Sequence, residues 1–309
     1  MNTNTTGRFA PSPSGYLHMG NLLSLLLAWL DCRKAGGTLV FRMEDLDPER
    51  SKPEYIAAIG DDLRWLGLDW DTGYPDPSCQ QSRRTAFYDG VFRELQRKAL
   101  VYPCFCTRAQ RLAAANAPHA GERQSDLGCP CARLSAAERE ALLLAGKRPA
   151  WKIRTPDRTV TVTDDRCGTV SLNLAREVGD FLVRRADGVY AYQLAAVADD
   201  LVMGVNRVVR GADLLRCVPQ QVWLTELLGG TAPSYCHTPL LLSAPGRKLS
   251  KRLGSLSTRE LRKVYTPEAL LGHLAALSGL IPKEEPLTAR ELLGIFSWEK
   301  VPEEDIVLQ

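Results

Sequence analysis

The chain lacks a long hydrophobic run. Its longest largely apolar stretch, Leu22 to Leu30, covers nine residues and stops at Asp31. Crossing a bilayer takes roughly 20 apolar residues, so no membrane span is expected. The opening residues, Met-Asn-Thr-Asn-Thr-Thr-Gly, carry neither a basic cluster nor an apolar core. No signal peptide is therefore expected, and the cytoplasm is the expected compartment. Charge of one sign is also scarce: 39 basic against 36 acidic residues give a net charge of +3 and a pI near 8.3. That balance excludes a purely electrostatic nucleic-acid binder, but not one whose charge is clustered. Repeats and low-complexity tracts are absent. Nine cysteines in 309 residues are an odd number and too sparse for a disulfide scaffold. Four of them fall in two pairs, which reads as metal binding in a reducing compartment.

What is present is ordinary globular material. With 45% hydrophobic and 24% charged residues, the chain can bury one large core or two modest ones, and disorder is excluded as its main state. Residues 6–10 read as a short strand running into Pro11-Ser12-Pro13-Ser14-Gly15, where two prolines exclude helix. A helix follows from about Gly20 to Lys34 and stops at Gly36-Gly37, and Thr38 to Met43 is a β-prone run ending on Glu44 and Asp45. Strand, glycine-containing turn, helix and strand in this order form the βαβ signature of a nucleotide-binding α/β domain. A further helix is predicted over Ser51 to Leu66.

The expected organisation has four parts: residues 1–100 as the first half of a Rossmann-like domain, 101–180 as an insertion, 181–243 as the second half, and 244–309 as a basic loop and short helical tail. Strands are expected at 151–154, 160–163, 181–183, 190–192 and 208–211.

Two motifs carry chemistry. His18-Met19-Gly20-Asn21 stands where the first helix begins, and a helix N-terminus offers unpaired N–H groups to phosphate. Gly20 lets a nucleotide approach the backbone, and His18 can donate to phosphate oxygens. Alone, this signal is equally that of a histidine capping a helix. The second motif is Gly246-Arg247-Lys248-Leu249-Ser250-Lys251-Arg252. From Gly246 to Lys263 there are seven basic residues and one acidic one, enough to clamp a triphosphate, although a charge run is usually a solvated face.

Cys104-Phe-Cys106 and Cys129-Pro-Cys131 are two Cys-x-Cys pairs, a layout that fits a tetrahedral structural Zn²⁺ site stapling an inserted loop. His237 and His273 belong to no constellation visible in the sequence.

Taken together, the two phosphate motifs resemble the paired signatures of class I aminoacyl-tRNA synthetases. Arg8-Phe-Ala-Pro-Ser-Pro-Ser-Gly15, Phe41-Arg-Met-Glu-Asp-Leu-Asp47, Tyr102-Pro-Cys-Phe-Cys106, Val209-Arg-Gly-Ala-Asp213 and Lys248-Leu-Ser-Lys251 resemble glutamyl-tRNA synthetases along essentially the whole chain. Only 57 residues follow Arg252, where discriminating members carry a helical anticodon-binding region, so the resemblance is to the truncated glutamyl-Q tRNA(Asp) synthetase family.

That resemblance implies a Rossmann-like class I catalytic domain with a zinc-binding insertion and a short helical C-terminal piece. It implies a ligase that activates L-glutamate with ATP and Mg²⁺ and transfers it to queuosine at the wobble position of tRNA(Asp), with the catalytic domain itself holding the anticodon arm. The implied catalytic residues are His18 and Lys251, and the ATP site adds Gly20, Asn21, Lys248 and Ser250. The implied glutamate site is Arg8, Phe9, Ala10, Pro11, Ser12, Glu44, Tyr192 and Arg210, a set whose arginines suit a carboxylate and whose Glu44 suits an ammonium. A mutual surface ion pair is the alternative reading of Arg8 and Glu44.

Two positions depart from the family. Asn21 stands where full-length synthetases have His. Leu127 replaces a tyrosine ligand, leaving Cys129 or His119 to complete the metal set with Cys104, Cys106 and Cys131. Three other activities stay open: a minimal synthetase charging a tRNA 3′ end, a small-molecule adenylyltransferase, and a catalytically silent tRNA-binding paralogue. A monomer is expected, because no extended apolar face suggests an obligate dimer.

Overall fold

A computed structural model describes residues 4–107, 110, 129–243 and 256–308. Three parallel strands open the chain: β1 (Thr6–Phe9), β2 (Thr38–Phe41) and β3 (Thr72–Gly73), in spatial order β1-β2-β3. The helix α1 (Met19–Lys34) connects the first two, as the alternating pattern of the first 40 residues predicts. It is apolar nearly all round, and ten of its residues are buried. Such a helix must be covered on every side. Gly36, at φ +62°, takes the left-handed turn that ends it, a conformation open to glycine and costly to most residues. The helix α2 (Pro53–Trp65) starts on a proline, whose missing N–H costs nothing in the first turn. The helix α3 (Thr85–Arg97) follows.

A small antiparallel sheet comes next, ordered β4 (Val101–Cys104), β5 (Ala150–Ile153) and β8 (Phe181–Arg184). The helix α4 (Ala136–Leu144) precedes β5 and has no buried residue. Between β5 and β8 lies the hairpin of β6 (Thr159–Asp164) and β7 (Gly168–Asn173). Its first strand reaches a later parallel strand, where Asp164 pairs with Tyr235.

The expected strand at 190–192 does not form. Tyr190 makes an isolated bridge to Arg184, and Tyr192 opens the helix α5 (Tyr192–Val202). The alternation of Tyr190, Ala191 and Tyr192 is too short to set a period, and the run Leu194 to Asp199 is buried as a helix against its neighbours.

The strand β9 (Arg207–Gly211), the helix α6 (Val218–Leu227) and the parallel strand β10 (Ser234–Thr238) complete the α/β unit. Strand β9 lies along β1: the Asn206 N–H donates to the Thr6 carbonyl at 3.0 Å, and the Thr6 N–H donates to the Asn206 side chain at 2.8 Å. From β1 the chain winds outward to β2, and from β9 it winds the other way to β10. The β1/β9 boundary is therefore the topological switch point, where open α/β sheets bind ligands at the carboxyl ends of their strands.

The chain closes with β11 (Leu241–Ser243), the helices α7 (Thr258–Leu261), α8 (Pro267–Leu277) and α9 (Ala289–Ile295), and β12 (Ile306–Leu308), which pairs with β11 in parallel. The tail is not an appendage. Leu270, Leu271, Leu274, Leu292 and Phe296 share one core with Leu22, Leu26 and Leu30 of α1. Truncating a fully buried leucine there to alanine costs roughly 2–5 kcal/mol. Among the described residues no helix is long and apolar enough to cross a membrane.

Candidate active site

A cavity of about 830 Å³ opens at the switch point. It is lined by Arg8, Ala10, Pro11, Ser12, His18, Gly20, Asn21, Glu44, Tyr192 and Arg210, together with Asp213 and Leu240 to Leu242. The structure thus brings together all the expected amino-acid-site residues except one. Phe9 is fully buried in the core, edge-on to Phe41 at 6.2 Å, and does not line the cavity.

His18 is the residue that precedes the first turn of α1, and its backbone N–H donates to the Asn21 side-chain oxygen at 3.1 Å. Asn21 therefore fixes the entry to the helix. A Cβ added at Gly20 would lie 3.2 Å from the His18 ring, so the glycine makes room for the imidazole. Burial lowers the His18 pKa, favouring a neutral ring that can donate one hydrogen bond.

Lys248, Ser250 and Lys251 lie outside the described residues, as do His119 and Leu127. The described residues on either side reach the site. Leu242 lines the cavity, Ser257 forms an isolated bridge with His18, and the Thr258 N–H donates to the Leu17 carbonyl at 2.7 Å. Not every cation of the 246–263 stretch is available to a polyanion. Arg262 is held by Asp61 at 2.5 Å and Asp62 at 2.9 Å, and Arg259 donates to the Tyr16 hydroxyl at 3.3 Å.

Arg8 and Glu44 do not form a surface ion pair. Both are buried, at 7% and 9% exposure. Glu44 accepts from Arg42 at 2.9 Å, while Arg8 faces Asp200 at 3.7 Å and donates to the Val209 carbonyl at 3.3 Å. The Arg8 Nε, the atom that faces Asp200, has no hydrogen-bond partner among the described residues. An orphaned buried guanidinium N–H is costly, and a ligand carboxylate would relieve it. Burial and the Arg42 and Arg210 charges lower the Arg8 pKa, against Asp200. Glu44 is pushed up by burial against the pull of Arg42 and Arg8, so an added ammonium beside it would favour its ionised form.

Arg210 behaves differently. Its strand leaves it 7% exposed, as its apolar neighbours predict. Its Nε–H donates to His237 Nε2 at 3.1 Å, and Nη2 donates to Gln221 at 2.8 Å and to the Leu214 carbonyl at 3.3 Å. Nη1 donates to the Tyr192 hydroxyl at 3.3 Å. Of the two expected carboxylate forks, Arg8 is largely open and Arg210 largely committed.

The sequence reading missed the groups that hold this arrangement. Arg42, fully buried, binds Asp200 at 2.6 Å as well as Glu44, and lies 3.8 Å from Asp199. Asp199 in turn accepts from Gln81, Arg84 and Tyr88, each at 2.8 Å. The sequence signal was the acidic doublet Asp199-Asp200, which follows the apolar run Leu194 to Ala198 on one helix.

The chain matches the family described as tRNA synthetases class I (E and Q), catalytic domain, over residues 4–304. It belongs to that family. A glutamyl-Q tRNA(Asp) synthetase from Nitratidesulfovibrio vulgaris is 46% identical over 97% of this chain and 94% of its own length. One from Symbiobacterium thermophilum is 44% identical with the same coverage. A glutamate–tRNA ligase 2 from Acidithiobacillus ferrooxidans is 43% identical over 89% of this chain, but over 58% of its own length. Among solved structures, a glutamate tRNA ligase from Elizabethkingia meningosepticum in complex with its amino acid superposes with a TM-score of 0.83 at 26% identity, covering 99% of this chain and 67% of that one. The fold is that of class I glutamyl-tRNA synthetases, and this family member is a ligase.

Residues 104–131 carry a second cluster. The Sγ atoms of Cys104, Cys106, Cys129 and Cys131 all lie within 4.8 Å of one another. Cys129 is 3.4 Å from Cys104 and 3.7 Å from Cys106, and Cys106 is 3.6 Å from Cys131. A tetrahedral zinc–thiolate centre has sulfur–sulfur edges of about 3.8 Å, so the donor set and its spacing suit a metal ion. Burial raises the Cys104 and Cys106 thiols, and a metal would have to displace their protons.

Proposed function

We propose that the chain activates L-glutamate with ATP and Mg²⁺ and transfers it to queuosine at the wobble position of tRNA(Asp). The observation that carries the first half is the pairing, in one cavity, of an open buried arginine with a buried carboxylate. Arg8 takes the substrate's side-chain carboxylate with help from Arg210 and Tyr192, and Glu44 takes its ammonium. Ala10, Pro11 and Ser12 wall the amino-acid end, with the backbone of Phe9 behind them.

An oxygen of the glutamate α-carboxylate attacks the α-phosphorus, and the bond to pyrophosphate breaks. The product is the mixed anhydride glutamyl-adenylate. His18 and Lys251 stabilise the charge that moves onto the leaving pyrophosphate, Lys248 and Ser250 hold the phosphates, and Gly20 and Asn21 seat the nucleotide at the start of α1. Mg²⁺ travels with ATP and neutralises its phosphates. A hydroxyl of the queuosine ring then attacks the anhydride carbonyl, and AMP leaves.

The queuosine acceptor is supported by the names of relatives that this chain matches along nearly their full length. We further propose that the four cysteines hold one structural Zn²⁺, that the enzyme is a cytoplasmic monomer, and that residues 101–180 are an insertion between the two catalytic halves. Pyrophosphate exchange into ATP tests the activation step. It should depend on L-glutamate and not on L-aspartate or L-glutamine, and exchange indifferent to the amino acid would refute it.

A further inference from the structure

Strand pairing sets Arg210 of β9 directly beside His237 of β10, and Tyr235 of β10 beside no other residue of β6 than Asp164. In parallel strands, registered residues project to the same face. His237 and Asp164 are 1% and 3% exposed, and His237 Nδ1 lies 2.6 Å from an Asp164 carboxylate oxygen. A carboxylate can only accept, so Nδ1 carries the proton. Nε2 is then left as an acceptor, and it meets the Arg210 Nε–H at 3.1 Å.

A guanidinium has five N–H donors. At Arg210 one goes to His237, two on Nη2 go to Gln221 and Leu214, and one on Nη1 goes to Tyr192. Gln221 cannot flip its amide freely, because its nitrogen donates to Gln193 at 2.8 Å. One Nη1–H remains, in a residue that lines the cavity.

We infer that Asp164 and His237 are a positioning pair that locks the Arg210 guanidinium so that a single N–H meets the side-chain carboxylate of the amino-acid substrate. This rests on the glutamate-activating reading of the cavity. Neither residue touches the substrate. Asp164 chooses the imidazole tautomer, and the tautomer chooses the angle of the arginine. A donor at Nε2 would oppose the Arg210 Nε–H and turn the fork away.

The test is glutamate-dependent pyrophosphate exchange in the full chain carrying His237→Leu, His237→Gln or Asp164→Asn. A hydrogen bond to a charged group is worth enough to raise the glutamate KM of H237L about ten-fold or more, and the ATP KM should stay within about two-fold. H237Q should recover most of the loss, because its amide oxygen can accept from the same N–H. D164N should raise the glutamate KM alone. An unchanged glutamate KM in H237L, a joint rise of both KM values, or an H237Q no better than H237L would overturn the pair. If the wild-type chain shows no glutamate-dependent exchange, the substrate assignment fails instead. The pair is then judged by the imidazole ¹⁵N signals of His237. A protonated Nδ1 with a bare Nε2 supports it, and the opposite tautomer or a charged ring contradicts it.

Discussion

Arg42 and Glu44, two residues apart just beyond β2, meet at 2.9 Å with the arginine completely out of solvent. Burial works against the Arg42 charge, yet Asp200, Glu44 and Asp199 hold its pKa well above the ordinary value. Arg42 thus joins Glu44 to Asp200, while Asp199 is held more closely by Arg84, at 2.8 Å.

Arg42→Met should therefore be among the most damaging single substitutions in the chain. Removing one member of a buried charge network costs about 3–5 kcal/mol, and here it strips Glu44 and Asp200 of the cation that both hold. Urea denaturation should show the midpoint falling with little change in slope. A loss below about 1 kcal/mol would mean that the acidic residues find other partners.

Gly20→Ala should separate stability from activity. Alanine favours a helical position by up to about 1 kcal/mol over glycine, and Gly20 is half-buried at the cavity rather than packed in the core, so the melting temperature should hold or rise. The new methyl, 3.2 Å from the His18 ring, should displace the imidazole and slow the ATP step. The expected signature is a lower exchange kcat with an unaltered glutamate KM.

Acid should weaken the fold in two stages. Burial, ahead of the opposing Asp164 contact, lowers the His237 pKa, so its contribution is present above the unfolded value near 6.5 and is lost as pH falls below it. Burial alone would raise Asp164, but hydrogen bonds from His237 and from the Cys167 and Arg166 amides hold it down to about 2. That contribution is full above the ordinary carboxylate range and is lost as pH falls toward 2, about 2 kcal/mol in all. Stability measured from pH 8 to pH 3 should decline from about 6.5 downward, and H237Q should flatten the upper stage.

Protein purified under reducing conditions should carry about one zinc per chain. Cys129→Ser should lower metal content and melting temperature, while His119→Ala should change neither. The reverse pattern would make the histidine the fourth ligand.

Much of this was legible in the sequence because it is local. The first βαβ unit, the stop at Gly36, the two cysteine pairs and the His18 to Asn21 helix start follow from spacing and turn chemistry within a few dozen residues, whereas Arg8, Ala10, Pro11 and Ser12 came from the family resemblance. The commitment of Arg210 was half legible: two valines before it said that it must be buried and paired, but not with what. Asp164, His237 and Arg42 could not be found that way. Their partners lie 73 or 158 residues away along the chain, and only strand register and helix packing bring them together. Tyr192 was assigned to a strand because three residues of alternation resemble one, while the helix it begins is defined by the burial of residues that follow it.

The acceptor is the central claim, and the measurement that reaches it most directly is the position of the label. Labelled glutamate, ATP and the enzyme are incubated with tRNA(Asp) bearing either queuosine or guanosine at the wobble position, and the tRNA is cut into anticodon and 3′-terminal fragments. The account predicts label in the anticodon fragment of the queuosine form and none in the guanosine form. Label at a 3′-terminal adenosine, whether of tRNA(Asp) or tRNA(Glu), would contradict it.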